Sequence, residues 1–182
     1  MWLLGLVGLV VVIGLYLVSS YNGFVRGGVA IDTQWGQVES QYQRRLDLIP
    51  NLVNSVQGAM KQEQAIFTAL ADARARYAGA TTPDQKAAAA GQVESTFGRL
   101  LAIMENYPQL KSVDTVQSLM AELAGTENRV SVERMRYNEL IGAYNTKVKT
   151  FPGALVAGMF GFEARALFEA KEGAEDAPVV NL

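Results

Sequence analysis

Charged residues interrupt the apolar stripe of the last long helical segment, and their types and spacing are the first candidates for chemistry. Glu127 and Arg134 lie seven residues apart on that stripe. A charge on a buried helix face needs a partner, because an unpaired charge in a low-dielectric interior is costly. Arg44, Arg45 and Asp47 could supply partners from another helix. The pattern favours a structural polar layer that fixes helix register, with a ligand or ion site in a bundle core as the alternative.

The chain contains neither cysteine nor histidine. It therefore cannot use thiol catalysis, a Ser-His-Asp triad, the usual zinc sites or the Glu-x-x-His arrangement of di-iron bundles. Neither of the common glycine-rich phosphate-binding motifs occurs. The sequence thus predicts a protein that is not an enzyme and binds no cofactor or metal, and an enzyme that relies on carboxylates is the less favoured alternative.

The first eighteen residues are apolar, and the first charged side chain of the chain is Arg26. A helix from Trp2 to Val18 is ~26 Å long, and its continuation to Val25 exceeds the ~30 Å hydrocarbon thickness of a bilayer. Residues 1–25 are therefore predicted to form a transmembrane anchor. The alternative is a cleaved signal peptide, but such peptides begin with a positively charged segment that is missing here.

Charge elsewhere gives weaker information about location and partners. Arginines follow the apolar run, which mildly favours a cytoplasmic C-terminal domain but leaves the side of the membrane open. The net charge is −2, and residues 163–182 carry five acids against two bases, so this acidic tail carries −3 and the rest of the chain +1. A nucleic-acid surface would need clustered Lys and Arg, so nucleic acid is not an expected partner.

After the anchor, apolar residues recur every three or four positions, as on one face of a helix. They almost nowhere alternate with polar residues, as they would in a β-strand. A break or sharp kink is predicted at Pro50, which would open a second helix running to Gly79. A third helix is predicted from Pro83, with Thr82 as its N-cap, and a fourth from near Ser112. The fold class is thus all-α: an N-terminal transmembrane helix followed by an elongated antiparallel bundle of about four long helices in residues 26–162.

The apolar segment 154–162 follows the fourth helix and is too short to span a bilayer. It is predicted to cap one end of the bundle. An apolar surface at this end, followed by a tail that could become ordered on a partner, is a candidate for protein association. The residues proposed for this surface are Phe160, Phe162, Phe168 and Leu182.

Several motifs together resemble a known family. They are Arg44-Arg45-Leu46-Asp47-Leu48-Ile49-Pro50-Asn51-Leu52-Val53, Tyr107-Pro108-Gln109-Leu110-Lys111, Thr126-Glu127-Asn128, Arg136-Tyr137-Asn138, Tyr144-Asn145 and Phe151-Pro152. This set resembles the LemA family over nearly the whole chain. The resemblance implies a single-pass bacterial membrane protein with an elongated antiparallel helical bundle and no established biochemical activity. Members are sometimes associated with membrane peptidases and TPM-domain proteins, and a LemA-like protein occurs among magnetosome membrane proteins.

The anchor, the helical stripes and the missing catalytic residue types favour a non-enzymatic membrane scaffold or interaction protein. The resemblance implies that it lies in the inner membrane of the bacterial envelope. The expected partners are the lipid bilayer and membrane or envelope proteins, with a second copy of the chain as a further candidate. The alternative function is an accessory or regulatory subunit of a membrane peptidase or transporter.

Overall fold

The computed structural model describes residues 2–168, which are helical almost throughout and contain no β-strand. The all-α class is therefore confirmed. The helices are α1 (Trp2–Val56), α2 (Gln64–Gly79), α3 (Pro83–Met104), a short 3-10 helix (Pro108–Ser112), α4 (Asp114–Lys149) and α5 (Gly153–Phe160).

Helix α1 continues through Pro50 and ends at Val56, so the prediction that Pro50 opens a new helix is wrong. An interior proline costs about 3 kcal/mol in helix stability. Residues on one face around it are nevertheless fully packed: Leu46, Ile49, Leu52 and Val56. Their burial outweighs the local cost of the proline. The predicted second helix consequently starts late, because residues 57–63 form turns before α2 begins.

The start of α3 agrees with the sequence prediction. The backbone N–H of Gln85 donates a hydrogen bond of 3.2 Å to the Thr82 hydroxyl oxygen, and Pro83 is the first helical residue. This N-cap satisfies one of the backbone donors that the first helical turn leaves free. Helix α4 begins at Asp114, slightly later than predicted, because a 3-10 helix occupies residues 108–112.

The helices are organised in two compact units. In the part of the chain that the structure describes, the first unit comprises residues 2–37 and 133–167, and the second comprises residues 38–132 and Phe168. The first unit has its core between α1, α4 and α5, around Phe24, Ile31 and Ile141. Within it α1 and α4 are antiparallel, because Phe24 contacts Tyr144 whereas Trp35 contacts Tyr137.

The second unit contains the C-terminal part of α1, helices α2 and α3, and the N-terminal part of α4. Its most deeply buried side chains come from every helix of the unit: Leu52, Val56, Leu70, Leu100, Leu123 and Val130. These residues follow the helical spacing of apolar stripes, which is the pattern expected for helices that bury one face each.

The turn between α4 and α5 has room only for glycine at position 153. A Cβ atom built on Gly153 would overlap the backbone carbonyl oxygen of Lys147. We expect Gly153→Ala to lower the free energy of unfolding by about 1–3 kcal/mol, as overpacking does elsewhere. Denaturant unfolding of the full chain in detergent, followed by circular dichroism, measures this. Gly158→Ala is the matched control, because a Cβ there meets nothing within 4 Å. Equal stabilities of the two variants would contradict the prediction.

Candidate functional site

A buried arginine on α1 is the centre of the polar layer in the second unit. Arg45 is 6% exposed, and its guanidinium forms an ion pair with Glu127 of α4. Its Nη1 atom also lies 3.8 Å from Oε1 of Glu94 on α3. The guanidinium carbon stands 5.5 Å from the centre of the Phe97 ring, in a cation–π contact. One cation thus links three helices.

Tyr42 completes this polar layer one turn earlier on α1. Its hydroxyl donates a hydrogen bond of 2.9 Å to Oε1 of Glu94. Glu94 is therefore fixed from two sides, by Tyr42 and by Arg45. Both carboxylates are partly accessible, with side-chain exposures of 29% for Glu94 and 47% for Glu127. These contacts orient the groups and pair each carboxylate with the buried cation, which suits a structural connection between helices.

The other residues proposed for the layer lie elsewhere. Arg44 is exposed and pairs with Glu122 at 3.1 Å, and Asp47 is exposed and accepts a hydrogen bond from Gln43. Successive helical residues point in directions about 100° apart, so Arg44 and Arg45 cannot share a face. Arg134 is part-buried and belongs to the first unit. The structure therefore brings together Arg45 and Glu127 from the predicted set, whereas Arg44 and Asp47 bind other residues.

Sequence reasoning missed Glu94 and Tyr42 as polar members of this layer. A signal for Glu94 was present, because it precedes Phe97 by three residues and so lies on the same side of α3 as that buried ring. The spacing of Tyr42 from Val38 and Ile49 indicates an apolar stripe, whereas the partner of its hydroxyl lies on a helix 52 residues away in sequence.

Tyr77 of α2 lies beside this layer, with its ring 5.9 Å from that of Tyr42. Burial raises the pKa of Tyr77 from 10.0 to about 12. The unfolded chain therefore loses this proton at a lower pH than the folded chain, and the free energy of unfolding falls as pH rises between these two values. We expect the Tyr77→Phe variant to lose less free energy of unfolding than the parent chain over this alkaline pH range. Denaturant unfolding at pH 8 and near pH 11 measures the difference, and an unchanged pH dependence in the variant would contradict this assignment.

Aromatic side chains form a second cluster, in the first unit. We define the aromatic cluster as Tyr21, Phe24, Tyr144, Phe160 and Phe162. Ring centres are 5.0 Å apart for Tyr21 and Phe160, and 5.0 Å apart for Phe24 and Phe162. The rings of Phe24 and Tyr144 meet edge to face at 6.0 Å. Such geometries are favourable beyond the area they bury, so the cluster fixes α5 against α1 and α4.

The proposed interaction surface at the C-terminal end is only partly exposed. Phe160 is 49% exposed, Phe162 is part-buried against Phe24, and Phe168 is 8% exposed. Leu182 lies outside the described residues. The exposed apolar side chains near Phe160 are instead those of Leu155 and Met159 on α5.

The segment after α5 is held by a motif that the sequence had singled out. Asn145 donates from Nδ2 to the carbonyl oxygen of Arg165 and accepts at Oδ1 from the Arg165 N–H, both at 2.8 Å. The Arg165 guanidinium also pairs with Asp32 on α1. Residues 163–165, proposed as the start of the acidic tail, are thus attached to α1 and α4.

The N-terminal part of α1 differs from every other helical segment. It contains an 18-residue window of mean hydropathy 2.5, and none of that window is buried by the rest of the protein. Among residues 2–168, α1 is the one helix long and apolar enough to cross a membrane. The same residues contain no group of three or more Asp or Glu side chains that could hold a metal ion.

Comparison with known proteins supplies the family. The sequence model of the LemA family matches residues 34–182. The chain belongs to the LemA family. The resemblance carried by the sequence motifs is therefore confirmed. The match includes both the Arg45 layer and the residues of α4 and α5 in the aromatic cluster.

Three curated relatives of this LemA-family chain are magnetosome proteins by name. MamQ 1 and MamQ 2 of Paramagnetospirillum magneticum are each 28% identical to it over 190 aligned positions, which cover 90% of this chain and 70% of theirs. MamQ of Magnetospirillum gryphiswaldense is 27% identical with the same coverage. The family and the apolar segment of α1 together indicate a membrane-associated protein.

Proposed function

We propose that this LemA-family protein is a membrane-anchored, non-enzymatic helical scaffold or interaction protein of the bacterial envelope, with a single span in the inner membrane. Residues 1–25 are the anchor, residues 26–162 form the helical bundle and residues 163–182 form the tail in this proposal. Its partners are the bilayer and membrane or envelope proteins.

One observation carries the proposal: α1 is a single helix with two different environments. Its apolar N-terminal window is not buried by protein, whereas the face bearing Val38, Arg45 and Leu52 is buried in the core. An uncovered apolar segment of this length is stable in a bilayer. The helix that would cross the membrane therefore also supplies core residues to the bundle.

The polar chemistry of the described residues supports a non-enzymatic role. The partly buried carboxylates of Glu94 and Glu127 are paired with Arg45, and Glu94 also accepts from Tyr42. A general acid or base needs a free site beside it for the reacting atom. The charged residues of this layer are instead held by contacts with one another.

Site-specific photo-cross-linking in living cells tests the proposal. A photoreactive amino acid replaces, one at a time, exposed residues of the bundle such as Met135, Val132 and Val113. We expect discrete protein adducts from a contiguous subset of these positions. The Glu94→Ala, Glu127→Ala chain is the control, because weakening the fold should abolish those adducts. If no position yields an adduct, the scaffold proposal fails.

The identity of the adducts separates the scaffold from the accessory subunit. A captured peptidase or transporter whose turnover changes when this protein is absent would favour the accessory role. Captured proteins whose location or assembly changes, with turnover unaltered, would favour the scaffold. An adduct of twice the chain mass of 19.7 kDa would identify a second copy as partner.

A further inference from the structure

Helix α5 presents an exposed apolar face although it lies in a packed unit. Leu155 and Met159 are four residues apart on α5 and so share one side, and Phe151 lies two residues before the helix. Their exposures are 82% for Phe151, 62% for Leu155 and 67% for Met159. The opposite side, with Val156 and Ala157, is buried. An apolar stripe with this degree of exposure needs something to cover it.

The position of α5 along α1 indicates what covers it. About 20 helical residues cross the hydrocarbon core of a bilayer, so a span that starts at Trp2 ends near Tyr21. Phe160, at the end of α5, contacts the ring of Tyr21 at 5.0 Å. A Cβ at Gly153, the first residue of α5, would lie 3.6 Å from the ring of Phe24. Both ends of α5 therefore reach the turn of α1 at which the hydrocarbon core ends.

The charges around this turn match a phospholipid surface. Arg26, Lys147 and Lys149 are exposed, and Lys147 and Lys149 form the last turn of α4 directly before α5. Residues 2–31 and 141–163 contain these three cations and the single acid Glu163, a net charge of +2. Cations beside an apolar face are the pattern of helices that lie at the interface of membranes with anionic lipids.

We propose that α5 is a second membrane-contacting element, which inserts Phe151, Leu155 and Met159 at the boundary between headgroups and acyl chains of an anionic bilayer. Lys147, Lys149 and Arg26 bind the phosphate groups of the surrounding lipids. The aromatic cluster holds α5 at that depth through Tyr21 and Phe24. This inference rests on the proposed anchor. It implies that the exposed part of the C-terminal surface contacts lipid.

The absence of cysteine from the chain allows a clean test. Single cysteines replace Met159, Met135 or Val10 in the full chain, each variant is spin-labelled, and the protein is reconstituted into vesicles of phosphatidylcholine and phosphatidylglycerol. Met135 is the matched control, because it is an exposed methionine of the same unit on α4. Electron paramagnetic resonance then compares the collision rates of each label with apolar oxygen and with a water-soluble nickel chelate.

We expect the ratio of oxygen to nickel collisions to be several-fold higher at Met159→Cys than at Met135→Cys. Equal ratios would overturn the inference, and so would a label at Met159→Cys that is shielded from both reagents, because protein would then cover α5. Leu155→Cys provides a second position on the same face. Val10→Cys distinguishes the two proposals. If the label at Val10→Cys collides mainly with oxygen while the label at Met159→Cys collides mainly with the nickel chelate, only the role of α5 is refuted. If the label at Val10→Cys collides mainly with the nickel chelate, the anchor itself is refuted.

Discussion

Replacing both Glu94 and Glu127 with alanine lowers the free energy of unfolding by about 3–5 kcal/mol, the cost of leaving a buried charge without a partner. Arg45 is 6% exposed, so water cannot replace the two carboxylates around its guanidinium. The full chain in detergent, unfolded by denaturant and followed by circular dichroism, gives this free energy. Glu127→Ala alone costs less, about 1–3 kcal/mol, because Glu94 remains beside the cation.

Two further variants show whether the unpaired cation causes the loss. Arg45→Met in the double-alanine chain should recover much of the stability, because no buried charge then remains. Glu122→Ala removes the partner of the exposed Arg44 and should cost no more than about 1 kcal/mol. Failure of Arg45→Met to restore any stability would contradict the role assigned to the ion pairs.

Deleting residues 2–18 should release the protein from the membrane and leave its helical bundle folded. The apolar window in this part of α1 is not buried, and the first buried core residue along α1 is Phe24. The deletion thus removes most of the proposed anchor without removing core contacts. Ultracentrifugation of cell extracts should show the full chain in the membrane pellet and the shortened chain in the supernatant.

Circular dichroism of the purified shortened chain completes this experiment. We expect a helical spectrum and one cooperative thermal transition. A shortened chain that stays in the pellet after carbonate washing would contradict residues 2–18 as the membrane span. A disordered shortened chain would show that the apolar segment is needed for folding.

Periodicity in the sequence was enough to predict the helical class and most core faces. The stripe through Val38, Tyr42 and Ile49 is buried as its spacing of three and four residues requires. Pro50 misled the prediction, because the local preference of proline is visible in sequence whereas the packing that overrides it is not. The capping of α3 by Thr82 could be predicted, since every atom involved lies within one turn.

The polar layer was predictable only in part for the same reason. Arg45 and Glu127 each interrupt an apolar stripe, so the helical spacing of that stripe already places both residues on the buried face of their helix. Which acid meets which arginine depends on the register between helices, and adjacent residues such as Arg44 and Arg45 then point to different environments. Glu94 lies at the edge of its stripe and was overlooked.

The exposure of the proposed C-terminal interaction surface depends on contacts between residues far apart in sequence, which the spacing of residues does not reveal. Phe162 stacks on Phe24, which is 138 residues earlier, and its part-burial follows from how the chain returns after α5. The exposed residues of α5 could not be told from the buried ones in the continuous apolar run 154–160, because a run without polar residues has no visible polar face.

Exchange of the anchor followed by partner capture tests most directly whether this protein acts by association at the membrane. Residues 2–18 are replaced by an unrelated apolar span of equal length, and proteins cross-linked in intact cells are quantified by mass spectrometry. The full chain and the exchanged chain should enrich the same envelope proteins, and the chain with Glu94→Ala and Glu127→Ala should lose them. If the full chain enriches no protein above an anchor-only control, the scaffold account is contradicted.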